Sequence, residues 1–155
     1  MPSPLHELIS DIIGRFADAI GVPCQIDIDE PKVNGVVEVR VSTDEDAKFL
    51  IGKNGQNLAA LEHVIRAASY RKVGTDHRIV IDVNGYREER NGQVAEATKT
   101  AVIQVRETGR SVTLPPMTPS ERRIVHTELS GYTDVESESI GVDPHRRVVI
   151  KPVAL

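Results

Sequence analysis

The chain has 155 residues, of which only 3 % are aromatic, and it contains no tryptophan and a single cysteine, Cys24. This length favours one or two small domains, and we predict two. So few aromatic residues exclude a protein that holds single strands mainly by stacking bases on exposed rings. One cysteine excludes an internal disulfide and a Cys-x-x-Cys zinc site, and therefore favours a reducing compartment.

The formal net charge is −4, and the charge is unevenly divided along the chain. Residues 1–84 carry 9 Lys+Arg and 13 Asp+Glu, whereas residues 85–155 carry 10 of each. Any phosphate site must therefore be local. The first twenty residues include Glu7, Asp11 and Arg15 at helical spacing, which neither a signal peptide nor a membrane span would tolerate. The sequence predicts a cytoplasmic protein without a membrane segment.

The first half of the chain alternates between helical and strand periodicity. Helices are predicted over Leu5–Ile20, from about Asp44 to Ile51, and from near Gln56 to Gly74, the last with Leu58, Leu61, Ile65 and Ala68 on one face. Strands are predicted over Cys24–Asp29, Val37–Val41 and Arg78–Val83. This order makes a small α+β layer.

The segment Gly52-Lys53-Asn54-Gly55 joins two of these helices. The glycines permit a sharp turn and the close approach of a ligand backbone, while the helix that begins near Gln56 directs free N–H groups to the same place. Lys53 adds a mobile positive charge, and Asn54 tolerates a left-handed backbone. The pattern predicts a phosphate site, although a Gly-x-x-Gly turn between helices is also common as a plain connector.

The second half predicts a long helix, a capped helix and a β-hairpin. The long helix runs from Asn84-Gly85 to about Thr108 with an inner face of Val94, Ala97, Ala101, Val102 and Val105, and Asn91-Gly92 predicts that its first turns are frayed. A short strand is predicted over Ser111–Leu114. Thr118, Pro119 and Glu121 form a capping-box start signal for a helix to about Leu129, and Val135–Ile140 and Arg147–Ile150 are predicted to be paired strands.

Arg122 and His126 lie four residues apart on the capped helix, so both side chains leave one face and are able to bracket a phosphate. The pair borders the apolar stripe of this helix, and a packed, hydrogen-bonded His126 is the open alternative. Arg146 and Arg147 on the last strand are predicted to enlarge the positive surface, unless they are only a solvated pair.

The sequence does not predict an enzyme, a metal site or a cofactor. Position 47, where a P-loop needs glycine, is Ala47, and Lys53 is followed by asparagine. The histidines show no His-Glu-x-x-His spacing, and Cys24 has no histidine nearby in sequence.

The whole pattern resembles a known pair of domains. Residues 1–84, with their loop Ile51-Gly52-Lys53-Asn54-Gly55, resemble a type II KH domain (α-β-β-α-α-β). Residues 85–155 resemble the small α/β domain named for an Arg-x-x-x-His motif, here Arg122 and His126. A KH domain followed directly by such a domain through Gly85-Tyr86-Arg87 is similar to the bacterial Jag family of RNA-binding proteins, so the expected fold class is α+β.

The resemblance implies a cytoplasmic protein that binds single-stranded RNA, with single-stranded DNA as a further candidate, and that acts with a small single-domain KH protein. It also implies a post-transcriptional regulator of cell shape, elongation or division. The separate N-terminal domain of many relatives is missing, so membrane-associated roles are not expected. A protein-interaction or assembly factor, in which nucleic acid is incidental, is the alternative of a different class.

Overall fold

The computed structural model describes residues 1–154, so Leu155, the last residue of the second predicted domain, lies outside the described residues. The chain divides into two compact units, the first spanning Met1–Tyr86 and the second beginning at Arg87. Each unit has its own three-stranded sheet and its own hydrophobic core. The architecture is therefore α+β, as predicted. Among the described residues, no helix is long and apolar enough to cross a membrane.

The first unit contains three helices, a 3₁₀ turn and three strands. They are α1 (Pro4–Ala19), β1 (Gln25–Ile28), β2 (Val36–Ser42), α2 (Lys48–Ile51), the 3₁₀ turn (Lys53–Gly55), α3 (Gln56–Lys72) and β3 (Arg78–Val83). The central strand β2 is antiparallel to β1 and parallel to β3. Alternate residues of β2 and β3, such as Val39 and Ile81, are buried in one cluster with Ile9 of α1 and Ile65 of α3. The 3₁₀ turn lies directly before the N-terminal end of α3, whose buried face is part of this cluster.

Two predictions for the first unit differ from the structure. The helix expected from about Asp44 is only the single turn α2, because Asp46 accepts the N–H of Lys48 at 3.0 Å and so satisfies that group outside a helix. On α3 the buried face continues with Ser69 and leaves Ala68 only half-buried. Ser69 tolerates burial because its hydroxyl donates to the Ile65 carbonyl at 2.7 Å.

The second unit packs two helices against an antiparallel sheet. Its elements are α4 (Tyr86–Thr108), whose first residue belongs to the first unit, β4 (Val112–Thr113), α5 (Pro119–Leu129), β5 (Val135–Ile140) and β6 (Arg147–Pro152). The strand order is β4-β6-β5, with β6 paired antiparallel to both neighbours. Val102 of α4, Val125 of α5 and Val148 of β6 are fully buried in the same core.

The start of α5 confirms the predicted capping box. Thr118 accepts from the N–H of Glu121 at 3.3 Å, and the Glu121 carboxylate accepts from the N–H of Thr118 at 3.1 Å. The same buried carboxylate accepts from Nε of Arg90 on α4 at 2.9 Å. These bonds within the protein fix the orientation of the first turn of α5.

The long helix α4 departs from prediction at two places. It continues through Gly92 without a break, so the expectation of frayed first turns was wrong. Its inner face uses Thr98, which is fully buried, and leaves Ala97 exposed. The Thr98 hydroxyl donates to the Val94 carbonyl at 2.8 Å, which removes the cost of burying an unpaired polar group.

Candidate nucleic-acid interface

The loop of residues 52–55 is built from positive-φ backbone. Gly52 has φ 78° and ψ 171°, a region populated essentially by glycine alone, and Gly55 has φ 79°. Asn54 is left-handed at φ 53° and ψ 29°, in line with the tolerance expected of asparagine. The N–H of Gly55 donates to the Gly52 carbonyl at 3.2 Å and closes the turn.

Asn57, which sequence analysis did not select, holds this loop together. Its Nδ2 donates to the Phe49 carbonyl at 2.6 Å, and a Cβ at Gly52 would lie only 2.6 Å from its Cγ. A Cβ at Gly55 would meet the ring of Tyr86 at 3.4 Å. The first glycine is thus required by the protein's own packing, since the place of its missing Cβ is filled by Asn57 rather than left open for a ligand.

The loop still presents anion-binding groups. Gly55 is the N-cap residue of α3 and has no side chain to accept from the first amides of that helix. The Lys53 side chain is exposed beside them. N–H groups at a helix start and one mobile ammonium group are a combination that suits a phosphate.

In the second unit Arg122 is buried, with only 8 % of its surface exposed. Its Nη1 donates to the Met117 carbonyl at 2.6 Å and to Oδ1 of Asp143 at 2.8 Å. These bonds connect the start of α5 to the turn between β5 and β6. Arg122 is therefore first a structural anchor, and part of its charge is already offset by Asp143.

His126 is half-buried, with one serine hydroxyl at each ring nitrogen. Nδ1 lies 2.5 Å from Oγ of Ser137, and Nε2 lies 2.9 Å from Oγ of Ser139. A neutral ring would donate at one nitrogen and accept at the other, whereas a charged ring would donate at both. The ring is thus hydrogen-bonded at both nitrogens, which fits the packed-histidine alternative.

An open pocket of about 560 Å³ lies beside α5. It is lined by Pro119, Arg122, Arg123, His126, Thr127, Ser130, Ser139 and Arg146. Three arginines around this pocket place positive charge on one surface of a chain of negative net charge, and the charge of Arg122 is partly offset by Asp143.

The pocket contains one unpredicted arginine and lacks one predicted arginine. Arg123 is exposed, and its signal in the sequence was the polar stripe that it forms with Thr127 four residues later. Arg146 lines the pocket, and its Nη1 donates to the Gly141 carbonyl at 3.1 Å. Arg147 is the first residue of β6 and is not among the lining residues, whereas Arg146 precedes the strand on which it was predicted.

Comparisons with known proteins identify the domain that contains the residues of this pocket. The family model of the R-3-H domain, which is named for the Arg-x-x-x-His motif, matches residues 93–152, and these include α5 and both strands of the hairpin. The chain is 30 % identical over 146 residues to the RNA-binding protein KhpB of Clostridium symbiosum, covering 94 % of this chain and 65 % of that protein. It is 34 % identical over 137 residues to KhpB of Bacillus subtilis strain 168, covering 87 % and 64 %.

The chain resembles the Jag family over most of its length. It spans just under two thirds of the length of these two relatives, and 43 % of KhpB from Lactiplantibacillus plantarum, to which it is 31 % identical over 142 residues. The Jag proteins that match are named as RNA-binding proteins, and the R-3-H domain is a nucleic-acid-binding domain rather than an enzyme family. The matched domain is therefore of the non-enzymatic kind that the sequence predicts.

Proposed function

We propose that this chain binds single-stranded RNA at two sites, the loop of residues 52–55 and the pocket beside α5. The observation that carries the proposal is the convergence of Arg122, Arg123, His126 and Arg146 on one open pocket within the residues that match the R-3-H domain. A positive pocket on a protein of net charge −4 indicates a specific anionic ligand rather than general attraction to polyanions.

In this proposal residues 1–84 are a type II KH domain and residues 85–155 are the R-3-H domain. The order α1-β1-β2-α2-α3-β3 and the Gly-x-x-Gly loop before α3 support the first assignment. Gly52 and Gly55 shape the loop, while Lys53, Asn54 and the first amides of α3 contact phosphates. The groove beside α3 and β3 then receives about four nucleotides.

Arg122, Arg123, His126 and Arg146 have different roles in the pocket. Arg123 and Arg146 make the direct phosphate contacts, because Arg123 is exposed and Arg146 is only half-buried. Arg122 and His126 line the pocket while they stay bonded to Asp143 and to the serine hydroxyls. Arg147, which does not line the pocket, adds positive charge next to Arg146 in the chain.

The relatives named KhpB are RNA-binding proteins, which supports RNA over DNA as the ligand. We extend the proposal to a cytoplasmic post-transcriptional regulator that acts on cell shape, elongation or division and has a small single-domain KH protein as its partner. Single-stranded DNA is a second ligand to be compared in the same assay.

The test compares binding of a fluorescent single-stranded RNA to two double variants. Lys53→Asp with Asn54→Asp changes the loop, and Arg123→Glu with Arg146→Glu changes the pocket. Each loses charge-assisted hydrogen bonds, so affinity should fall about tenfold or more, with little change in melting temperature. Lys99→Glu on the exposed face of α4 is the charge control and should bind like the parent. Parental affinity in both double variants would refute the proposal.

Salt dependence separates RNA binding from the protein-interaction alternative. A few local cations predict a slope of log affinity against log salt of about −2 to −4, since each single-strand phosphate contact contributes about −0.7. A slope near zero, together with salt-insensitive binding of a protein partner, would favour an assembly factor.

A further inference from the structure

Phe49 is an exposed aromatic ring in a chain that has few aromatic residues. Of the five rings, Phe16, Tyr86 and Tyr132 pack against the two cores. Only Phe49 and Tyr70 are exposed, by 62 % and 67 %. A single exposed apolar residue is ordinary on a protein surface, so exposure alone assigns no role to either ring.

The position of Phe49 distinguishes it from Tyr70. Phe49 lies on α2, one turn before Gly52, and residues so spaced lie about 5–6 Å apart. Its carbonyl accepts from Asn57, the residue that also fills the space at Gly52. Tyr70 lies near the other end of α3, about 20 Å along the helix from Gln56. The backbone that carries the Phe49 ring is therefore part of the loop structure.

The charges around Phe49 favour a nucleotide as its occupant. Lys48 Nζ lies 5.1 Å from the centre of the ring, and Lys53 is exposed on the loop that follows. Lys48 at the ring and Lys53, four residues after Phe49, therefore supply positive charge for the phosphates of a strand. Lys48 also pairs with Asp46 at 3.4 Å. Both groups are exposed, so this ion pair is weak and a phosphate is able to replace the carboxylate.

Acidic residues limit the surface beyond the ring. Asp44, Glu45 and Asp46 are all exposed immediately before α2, so this side repels further phosphates. The face of the Phe49 ring carries no charge, so it is able to contact a base where the acidic residues would repel a phosphate. Stacking on a ring tolerates any base, since every base has a π-face.

From these contacts we infer that Phe49 stacks on an unpaired base next to the nucleotide whose phosphate lies on the loop of residues 52–55. This inference rests on the proposed function and assigns its preference for unpaired strands to one residue. Base stacking is then a single local contact in this chain, which agrees with a composition that excludes stacking as the main mode of binding.

The test uses the absence of tryptophan from the chain. Phe49→Trp introduces a single tryptophan, whose fluorescence should be quenched by single-stranded RNA and much less by an abasic strand with the same number of phosphates. Tyr70→Trp is the matched control and should show no quenching. Phe49→Ala should weaken binding of single-stranded RNA by about 5- to 150-fold, the range expected for loss of one stacked base.

The outcomes separate this inference from the proposed function. If the parent binds RNA but Phe49→Ala binds equally well and Phe49→Trp is not quenched, the ring does not stack and only this inference fails. The same holds if Phe49→Ala loses a protein partner and keeps its RNA affinity. If the parent and both tryptophan variants bind no single-stranded RNA, the proposed function fails and this inference with it.

Discussion

The loop of residues 52–55 and the pocket beside α5 are two anion-suited surfaces made in opposite ways. In the loop the backbone is fixed, with Gly52 and Gly55 at positive φ, and Lys53 is a single mobile charge. In the pocket several charges are present, but the most buried of them, Arg122, is already bonded to Asp143 and Met117. The stability of the pocket therefore depends on a buried charged side chain, Arg122, whereas the charged side chain of the loop, Lys53, is exposed.

This difference teaches that a charged residue in a motif is not by itself a ligand contact. Burial of a guanidinium group requires hydrogen-bond partners within the protein, and Arg122 has them. Its neighbour Arg123 is exposed and is free of that requirement. The two surfaces should therefore respond differently to substitution. Three predictions test this difference, and a fourth gives the size of effect expected outside both sites.

The largest effect is expected from Gly52→Ala. The φ and ψ of Gly52 strain any other residue, and the new Cβ would overlap Asn57, so we expect a loss of about 2–4 kcal/mol in the free energy of unfolding. Gly14→Ala, within α1 and with open space at its Cβ, is the control and should be neutral or slightly stabilising. Chemical denaturation measures both. Equal effects of the two substitutions would mean that the loop backbone is not fixed as described.

Adjacent arginines on α5 provide the second prediction. Arg122→Met keeps the aliphatic stem but leaves the Met117 carbonyl and Asp143 without their partner, so the free energy of unfolding should fall by about 1–3 kcal/mol. Arg123→Met, at an exposed position, should change it by no more than about 0.5 kcal/mol while weakening RNA binding. The reverse pattern, with Arg123 critical for stability, would contradict the distinction between anchor and contact.

A third prediction concerns Asn57. Asn57→Ala removes the hydrogen bond to the Phe49 carbonyl and the packing against Gly52, so we expect a loss of about 0.5–1.5 kcal/mol and weaker RNA binding through a loosened loop. Gln56→Ala, at the exposed neighbouring position, is the control. Denaturation and anisotropy titration of both variants would show whether the loop conformation itself contributes to affinity.

The smallest effect is expected from exposed ion pairs outside both sites. Arg106 lowers the pKa of Asp134 in the second unit by hydrogen bonding, and Arg66 lowers the pKa of Asp76 in the first. A carboxyl group whose pKa is lower in the folded state stabilises the fold above its ordinary pKa of about 3.9, and this contribution is lost as pH falls through the folded value.

Asp134→Asn and Asp76→Asn should therefore lower the melting temperature slightly at pH 7, and the difference from the parent should shrink towards pH 3. Melting curves across this range check the sign. A difference that grows on acidification in either variant would show that the pair does not stabilise the charged carboxylate.

Much of the fold could be predicted from short-range patterns. The capping box of Thr118 and Glu121, the stop at Gly109 and the buried alternation of β3 each depend on a few neighbouring residues, and the structure contains all three. The helix α2 was predicted too long because Asp46 bonds locally to the backbone, and a helical pattern of apolar residues does not reveal this competition.

The candidate sites were only partly predictable. Arg122, His126 and Arg146 were selected from spacing and position, and all three line one pocket. Arg123 was not selected. The two serines at His126 were not selected either, because they come from a different element and no local pattern links them to α5. Asn57 was missed for a related reason, since its role is to fill the space of a Cβ that Gly52 lacks.

By itself the sequence determined the elements, their caps and the residue types able to bind an anion, because these depend on contacts within about one helical turn or one strand alternation. Tertiary structure alone decided which positive charges are available. Folding brings Asp143, 21 residues away, to Arg122 and brings Arg146 to the pocket of Arg123. A guanidinium group that must be buried takes its partners from the fold, and only the groups left exposed remain for a ligand.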